Sequence, residues 1–348
     1  MIQTASRRFT QTAVGLNLRV TDTFWMASRR TDVLIIGAGV SGLTTALSLL
    51  EAGLPAASLR LIAAEPPALT TSRCAGAIWG PYLSSYDRET DEWSRYTRHR
   101  LEALSREPGT GTYLVTGMEA SRVKADSPGW AVEVADFQAC GTSELPAGFV
   151  SGWRYTVPVL DMPLYLAHIM KRLDQAGVPV ETSRFASLAE AAATAARVVV
   201  NCAGFGARRL VPDDTVHPVR GQLVVVENPG IAEFFAEHTD EVDELTYLLP
   251  MGGHVVLGGS VEEDRTDRVA SPEIAQGIVD RCAQLVPALR GAKLIEHRVG
   301  IRPTRPRPRV ERVDTNAGPI VHNYGHGGSG VSLSWGCARE TARLVMAI

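Results

Sequence analysis

Residues 31–65 read TDVLIIGAGVSGLTTALSLLEAGLPAASLRLIAAE. A short apolar run, Val33–Ile36, meets Gly37, Gly39 and Gly42 in the spacing G-x-G-x-x-G; a helical pattern follows, then a second apolar run ending at Glu65. That order predicts strand, turn, helix and strand, the unit that cradles a dinucleotide. Gly37 permits the tight turn, Gly39 has no side chain to block a pyrophosphate, and Gly42 lets helix and strand pack closely. The unpaired N–H groups at the helix start carry partial positive charge toward the phosphates. Glu65 stands about twenty residues past the last glycine, where an acid accepts hydrogen bonds from ribose hydroxyls and argues against NADP.

The 348 residues suffice for about two domains, and 45% apolar with 21% charged residues is ordinary globular composition. A net charge of −3 gives no bias toward nucleic acid or an anionic membrane. Cys74, Cys140, Cys202, Cys282 and Cys337 form no C-x-x-C pair. Neither a zinc site nor a disulfide framework is expected, and free thiols fit a reducing, cytoplasmic setting. No apolar run reaches the roughly 18–20 residues that span a bilayer. Residues 1–30 hold five arginines and one acid, Asp22. The twin arginines at 7–8 precede only a short apolar stretch broken by Asn17 and Arg19, so the segment reads as a disordered extension rather than an export signal.

Further along, residues 87–108 have helical spacing, and 112–116, 130–134 and 152–157 are strand-like. Residues 160–177 are helical, 178–182 a strand, 186–196 helical and 197–204 a buried strand. Strands are expected at 222–226, 245–249, 255–258 and 294–298, and helices at 272–285 and 331–346. The fold class is therefore α/β: a Rossmann-like dinucleotide domain at 31–82, 155–216 and 300–348, interrupted by an α+β substrate domain at 83–154 and 217–299 with a mostly antiparallel sheet.

Five blocks share their order with one family. They are VLIIGAGVSGL; LTTSRCAGAIWGPYL; VVVNCAGFGARRL followed by RGQLVVVE; YLLP with GGHVVLGG; and VGIRPTRPRPRVE followed by IVHNYGHGGSGVSLSWGCARE. The chain resembles the D-amino acid oxidase family of FAD enzymes over all but its first thirty residues. The resemblance implies noncovalent FAD. Its pyrophosphate would lie at Gly37, Ala38, Gly39, Val40, Ser41 and Gly42, its ribose at Glu65, and its contacts would include Thr70, Thr71 and Ser72. Phe185 would meet the adenine edge, with Cys202 and Gly204 also in contact. The flavin ring would lie against Ala75, Gly76 and Ala77, its pyrimidine side facing Gly327, Gly328, Ser329, Gly330, Val331 and Ser332. The start of the last helix suits the negative charge of reduced flavin.

The same resemblance makes Arg302 the clamp on the substrate carboxylate, close to the flavin as well. Tyr247 adds a hydroxyl to that carboxylate, and the Gly328 carbonyl accepts from the substrate amine. A planar guanidinium makes two parallel charge-assisted bonds to a carboxylate, which lysine does not. The implied reaction is hydride transfer from Cα of a D-amino acid to flavin N5, giving a 2-oxo acid, ammonia and, with dioxygen, hydrogen peroxide. A homodimer is one possible assembly.

Three departures from the family stand out. Asp243 falls where a second active-site tyrosine is usual, Gly80 where a bulky polar residue often follows the tryptophan, and Ser329 where an aromatic is frequent. The two small residues are expected to widen the side-chain pocket. Residues 228–244 hold six acids (Glu233, Glu237, Asp240, Glu241, Asp243 and Glu244) and no Lys or Arg. These acids read either as a solvated helix face or as a preference for basic or polar substrates. A D-aspartate specificity would need an extra cation, for which Arg305 and Arg307 are the candidates. Rival readings are an oxidase of glycine, sarcosine or a biosynthetic secondary amine, a flavin binder without turnover, and an NAD dehydrogenase. His326 reads as a backbone-positioning residue, Cys337 as unattached to flavin, and Trp79 and Trp335 as core or cofactor wall.

Overall fold

The computed structural model describes residues 32–80, 87–194, 196–238 and 244–348. The extension expected at 1–30, and Asp240, Glu241 and Asp243, lie outside the described residues. β1 (Val33–Ile36) turns at Gly37, whose φ is +108°, into α1 (Val40–Glu51), and the chain returns through β2 (Leu59–Ala63). Next come β3 (Ala77–Ile78), α2 (Arg88–Leu104), β4 (Thr112–Ser121), β5 (Ala135–Ala139) and β6 (Ser151–Leu160). They are followed by α3 (Met162–Gln175), β7 (Val180–Thr182), α4 (Leu188–Ala192), β8 (Val198–Asn201) and α5 (Ala207–Leu210). The central run is β9 (His217–Glu227), β10 (Phe234–Glu237), β11 (Glu244–Met251), β12 (His254–Ser260), β13 (Glu262–Glu263) and α6 (Pro272–Leu285). β14 (Leu294–Thr315), β15 (Gly318–His326) and α7 (Gly330–Met346) end the chain.

Local chemistry sets several of these boundaries. Asp87, Asp161 and Ser271 cap α2, α3 and α6 by accepting the backbone N–H three residues on, and α6 opens with Pro272 at its first position. In β1 all four residues are buried, as are those of β8, so neither strand alternates; both faces of this parallel layer are covered. A Cβ on Gly42 would overlap the Gly37 carbonyl oxygen, which fixes how closely α1 crosses β1. α7 approaches α2 as tightly: a Cβ on Gly336 would strike the Trp93 backbone.

The strands follow the path β3-β6-β4-β10-β11-β12-β9-β14-β15-β8-β1-β2-β7. From β15 through β8, β1 and β2 to β7 the pairing is parallel. From β3 to β15 it is antiparallel, except that β10 runs parallel to β4. The α/β class stands, with a parallel dinucleotide layer and a mostly antiparallel remainder joined in one sheet.

Two sequence expectations change. Residues 130–134 are not a strand: Ala131–Glu133 is a 3₁₀ turn, begun where the Ala131 N–H donates to the Pro128 carbonyl at 2.8 Å. The strand expected at 294–298 instead runs 22 residues through the proline- and arginine-rich segment. Its pairing with β15 breaks between Thr304 and Arg309, where Pro306 and Pro308 have no N–H to donate.

Candidate active site

The C-terminal ends of the parallel strands and one face of the antiparallel strands share a cavity of about 1200 Å³. That exceeds the roughly 300–1,000 Å³ of a drug-sized ligand pocket and suits a dinucleotide with a small substrate beside it. Gly37, Ala38, Gly39, Val40 and Ser41 line it at the start of α1, and Glu65 lines it just beyond β2. Thr70, Thr71, Ser72, Ala75, Gly76 and Ala77 follow, then Phe185, Cys202 and Gly204. Gly327, Gly328, Gly330, Val331 and Ser332 at the start of α7, and Tyr247 and Arg302, complete the expected set.

Two expected residues are not at the wall. Gly42 serves the packing of α1 on β1. Ser329 is 1% exposed and buried in the turn before α7, so its small size does not widen the pocket. The room left by Gly80 is partly taken by Trp130, whose ring lies 3.9 Å from where a Gly80 Cβ would stand. Trp79 lines the cavity, whereas Trp335 is wholly buried core and donates to the Tyr165 hydroxyl at 2.8 Å. Cys337 is fully buried and does not line the cavity.

Several hydroxyls expected to meet the cofactor also hold the protein together. Ser72 accepts the Val40 N–H at 2.9 Å, and Thr70 donates to the Pro67 carbonyl at 2.7 Å. Ser332 donates to the Gly80 carbonyl at 2.8 Å. Thr71 donates to the Ile301 carbonyl at 3.0 Å and accepts the Ile301 N–H at 3.3 Å, so the loop on one side of the cavity is tied to the residue before Arg302. Glu65 receives Arg268 at 2.9 Å, a partner that sequence reading did not find.

Arg302 is half-buried on β14, opposite Val219 on β9. Its guanidinium lies across Gly221, where a Cβ would overlap it, and donates to the carbonyls of Arg220 at 3.3 Å and Ser260 at 3.2 Å. Gly221 is thus a site residue that only the close approach reveals. Tyr247 on β11 is seated the same way: its ring covers Gly258, and its hydroxyl would lie 2.9 Å from a Cβ on Gly76. Arg305 and Arg307, the candidate extra cations, are used elsewhere. Arg305 pairs with Asp213 at 3.1 Å, Arg307 with Asp87 and Glu89, and neither lines the cavity.

The wall fits FAD on its own features. A Cβ at Gly39 would stand 3.1 Å from the Ser72 hydroxyl, so the turn stays open only because it is glycine. Oδ1 of Asn323 and Nε2 of His326 are buried at this wall with no protein partner, as acceptors and donors for a polar ligand would be. Burial holds the His326 imidazole down to a pKa of about 4, so it is neutral at pH 7. Burial also pushes the Cys202 thiol up to about 12 and the Cys337 thiol well above its usual value, so neither is a thiolate.

A family model described as FAD dependent oxidoreductase matches residues 32–344. The chain is 44% identical over 313 residues to a protein named D-amino-acid oxidase from Rubrobacter xylanophilus, covering 89% of this chain and 94% of that one. It is 43% identical to a protein of the same name from Streptomyces coelicolor (90% and 96% covered) and 34% identical to human D-aspartate oxidase (90% and 94%). Among solved structures, glycine oxidase from Geobacillus kaustophilus superposes with a TM-score of 0.76 at 18% identity, over 92% of this chain and 95% of that one, a likeness of fold. The chain belongs to the D-amino acid oxidase family of FAD-dependent oxidoreductases. FAD is its cofactor. Among the described residues no helix is long and apolar enough to cross a membrane.

Proposed function

We propose that this protein oxidises D-amino acids to 2-oxo acids, releasing ammonia and reducing dioxygen to hydrogen peroxide. The observation that carries the proposal is the Arg302 guanidinium laid across Gly221 with Tyr247 in the same cavity as the glycine turn. Bound FAD supplies the two-electron acceptor. Gly37, Gly39 and the N-terminus of α1 would hold its pyrophosphate, Glu65 its ribose, and the start of α7 its pyrimidine edge. Arg302 pairs with the substrate carboxylate, Tyr247 donates to the same group, and the Gly328 carbonyl accepts from the neutral amine. Three contacts on the two polar groups of Cα aim its hydrogen at the acceptor, so orientation carries the protein's share of catalysis and no protein base is required. Water then hydrolyses the imino acid in solution. Residues 31–82, 155–216 and 300–348 act as the FAD-binding part, with 83–154 and 217–299 as the substrate part. The five free cysteines favour work in the cytoplasm.

The test is anaerobic mixing of the yellow holoenzyme with D-alanine, L-alanine and sarcosine. Bleaching of the flavin band by D-alanine alone is expected. Persistence of the oxidised spectrum with all three would leave a flavin binder, and bleaching by sarcosine in preference would make it a secondary-amine oxidase.

A further inference from the structure

Tyr247 on β11 is paired with Ala236 on β10, and Ala236 with Glu119 on β4. Paired residues on neighbouring strands present their side chains to the same face, and strands lie about 4.8 Å apart. Measured between backbone positions, Glu119 therefore stands two strands, or about 10 Å, along one row from Tyr247, whose ring leans the other way over Gly258. All three residues line the cavity. Among the described residues, the strand position between its ends is Ala236, which offers a methyl.

Glu119 is 8% exposed and held in place. The Tyr155 hydroxyl donates to one of its oxygens, and His238 Nδ1 lies 2.6 Å from the other. Burial first, and the adjoining Glu119 next, push the Tyr155 phenol well above its usual range, so it remains a donor to a carboxylate. Glu237 also lines this end, but Arg122 pairs with it at 2.7 Å, and Glu233 is spent on Arg154. Among the described residues, the other arginines at the wall stand away from this row. Arg184, Arg208 and Arg209 follow β7 and β8, and Arg268 is on Glu65. Among the described residues, the far end of the substrate row is thus a buried carboxylate whose one basic neighbour at hydrogen-bond distance is His238.

Resting on the D-amino acid oxidase reading, we propose that Glu119 reads the substrate side chain and that the enzyme selects D-amino acids bearing a cation at the end of a long stem. A lysine carries its ammonium on a flexible four-carbon stem, which extends from the carboxylate grip along the row toward Glu119; an alanine methyl stops well short of it. An acidic side chain would meet a like charge there, which disfavours D-aspartate and D-glutamate.

The experiment compares kcat/KM for D-lysine and for D-norleucine, the same stem without the ammonium, in wild-type holoenzyme and in Glu119→Gln. Wild type is expected to prefer D-lysine at least fivefold, and Glu119→Gln to lower the D-lysine to D-norleucine ratio at least tenfold. A wild-type preference for D-norleucine overturns the inference even if the variant does not fold. A ratio that stays within twofold in a folded, flavin-loaded variant makes Glu119 a structural acid and overturns it too. In either case turnover of D-norleucine leaves the oxidase reading intact, whereas no turnover of any D-amino acid removes both.

Discussion

Arg302 combines two demands in one planar group. Part of its guanidinium is anchored to the carbonyls of Arg220 and Ser260, which fixes the plane that would meet a carboxylate. Lysine keeps the charge but offers no planar fork for two parallel bonds to the carboxylate. Arg302→Lys is expected to lower kcat/KM for D-alanine by about 2–4 kcal/mol, roughly 30- to 1,000-fold, in steady-state assays. At Gly39 an added methyl would crowd the Ser72 hydroxyl that accepts the Val40 N–H, and would also stand where the pyrophosphate approaches. Gly39→Ala is expected to raise the Kd for FAD at least tenfold, about 1.4 kcal/mol, in a flavin titration of the apoprotein. Both residues are legible in the sequence because short local motifs specify them. Glu119, Trp130 and Gly221 are not, because strands distant in the chain bring them to the wall.

At the scale of elements, the link between Thr71 and Ile301 matters most. One hydroxyl serves both backbone groups of the residue before Arg302, so the 3₁₀ turn at Thr71–Cys74 and strand β14 move as one. Thr71→Val keeps the shape and leaves two backbone groups without their partner, a loss of about 1–3 kcal/mol. The expected result is a several-fold higher KM for D-alanine, restored by Thr71→Ser; an unchanged KM would show that β14 holds Arg302 unaided. The helices at 160–177 and 272–285 were readable from period and caps, the latter to the residue. The turn at 130–134 was not: its alternation resembles a strand, but Trp130 packs edge-on against Trp79 and Tyr155 while Val132 is left exposed, so the apolar residues build no common face.

Across the whole molecule, buried histidines couple stability to pH. His322 is 2% exposed beside Asn201, and burial, with Arg309 nearby, lowers its pKa to about 4. Above about pH 6.5 the imidazole is neutral in both folded and unfolded chains, and its contribution is complete. As pH falls from there toward 4 the unfolded chain takes up a proton that the folded chain refuses, costing up to about 1.4 kcal/mol per pH unit. Melting temperatures of the holoenzyme should therefore fall between pH 7 and 5, with a shallower slope for His322→Gln; equal slopes would discount this residue. Asp213 acts lower on the scale. Burial would raise its pKa, but hydrogen bonds from Thr215 and Tyr324, with Arg305 beside it, outweigh that and hold it well below the usual carboxylate range. Its contribution is present above about pH 4 and is lost as the medium becomes more acidic.

The unbroken path of strands has a mechanical corollary. β14 pairs with β9 through residues 294–304, the half that carries Arg302, and with β15 through Thr304 and residues 309–315, so one strand runs from the antiparallel layer into the parallel one. Sliding one layer past the other would cost a whole ladder of hydrogen bonds. The span from glycine turn to guanidinium is consequently set when the chain folds, and a guest molecule is measured against a gauge already cut to length.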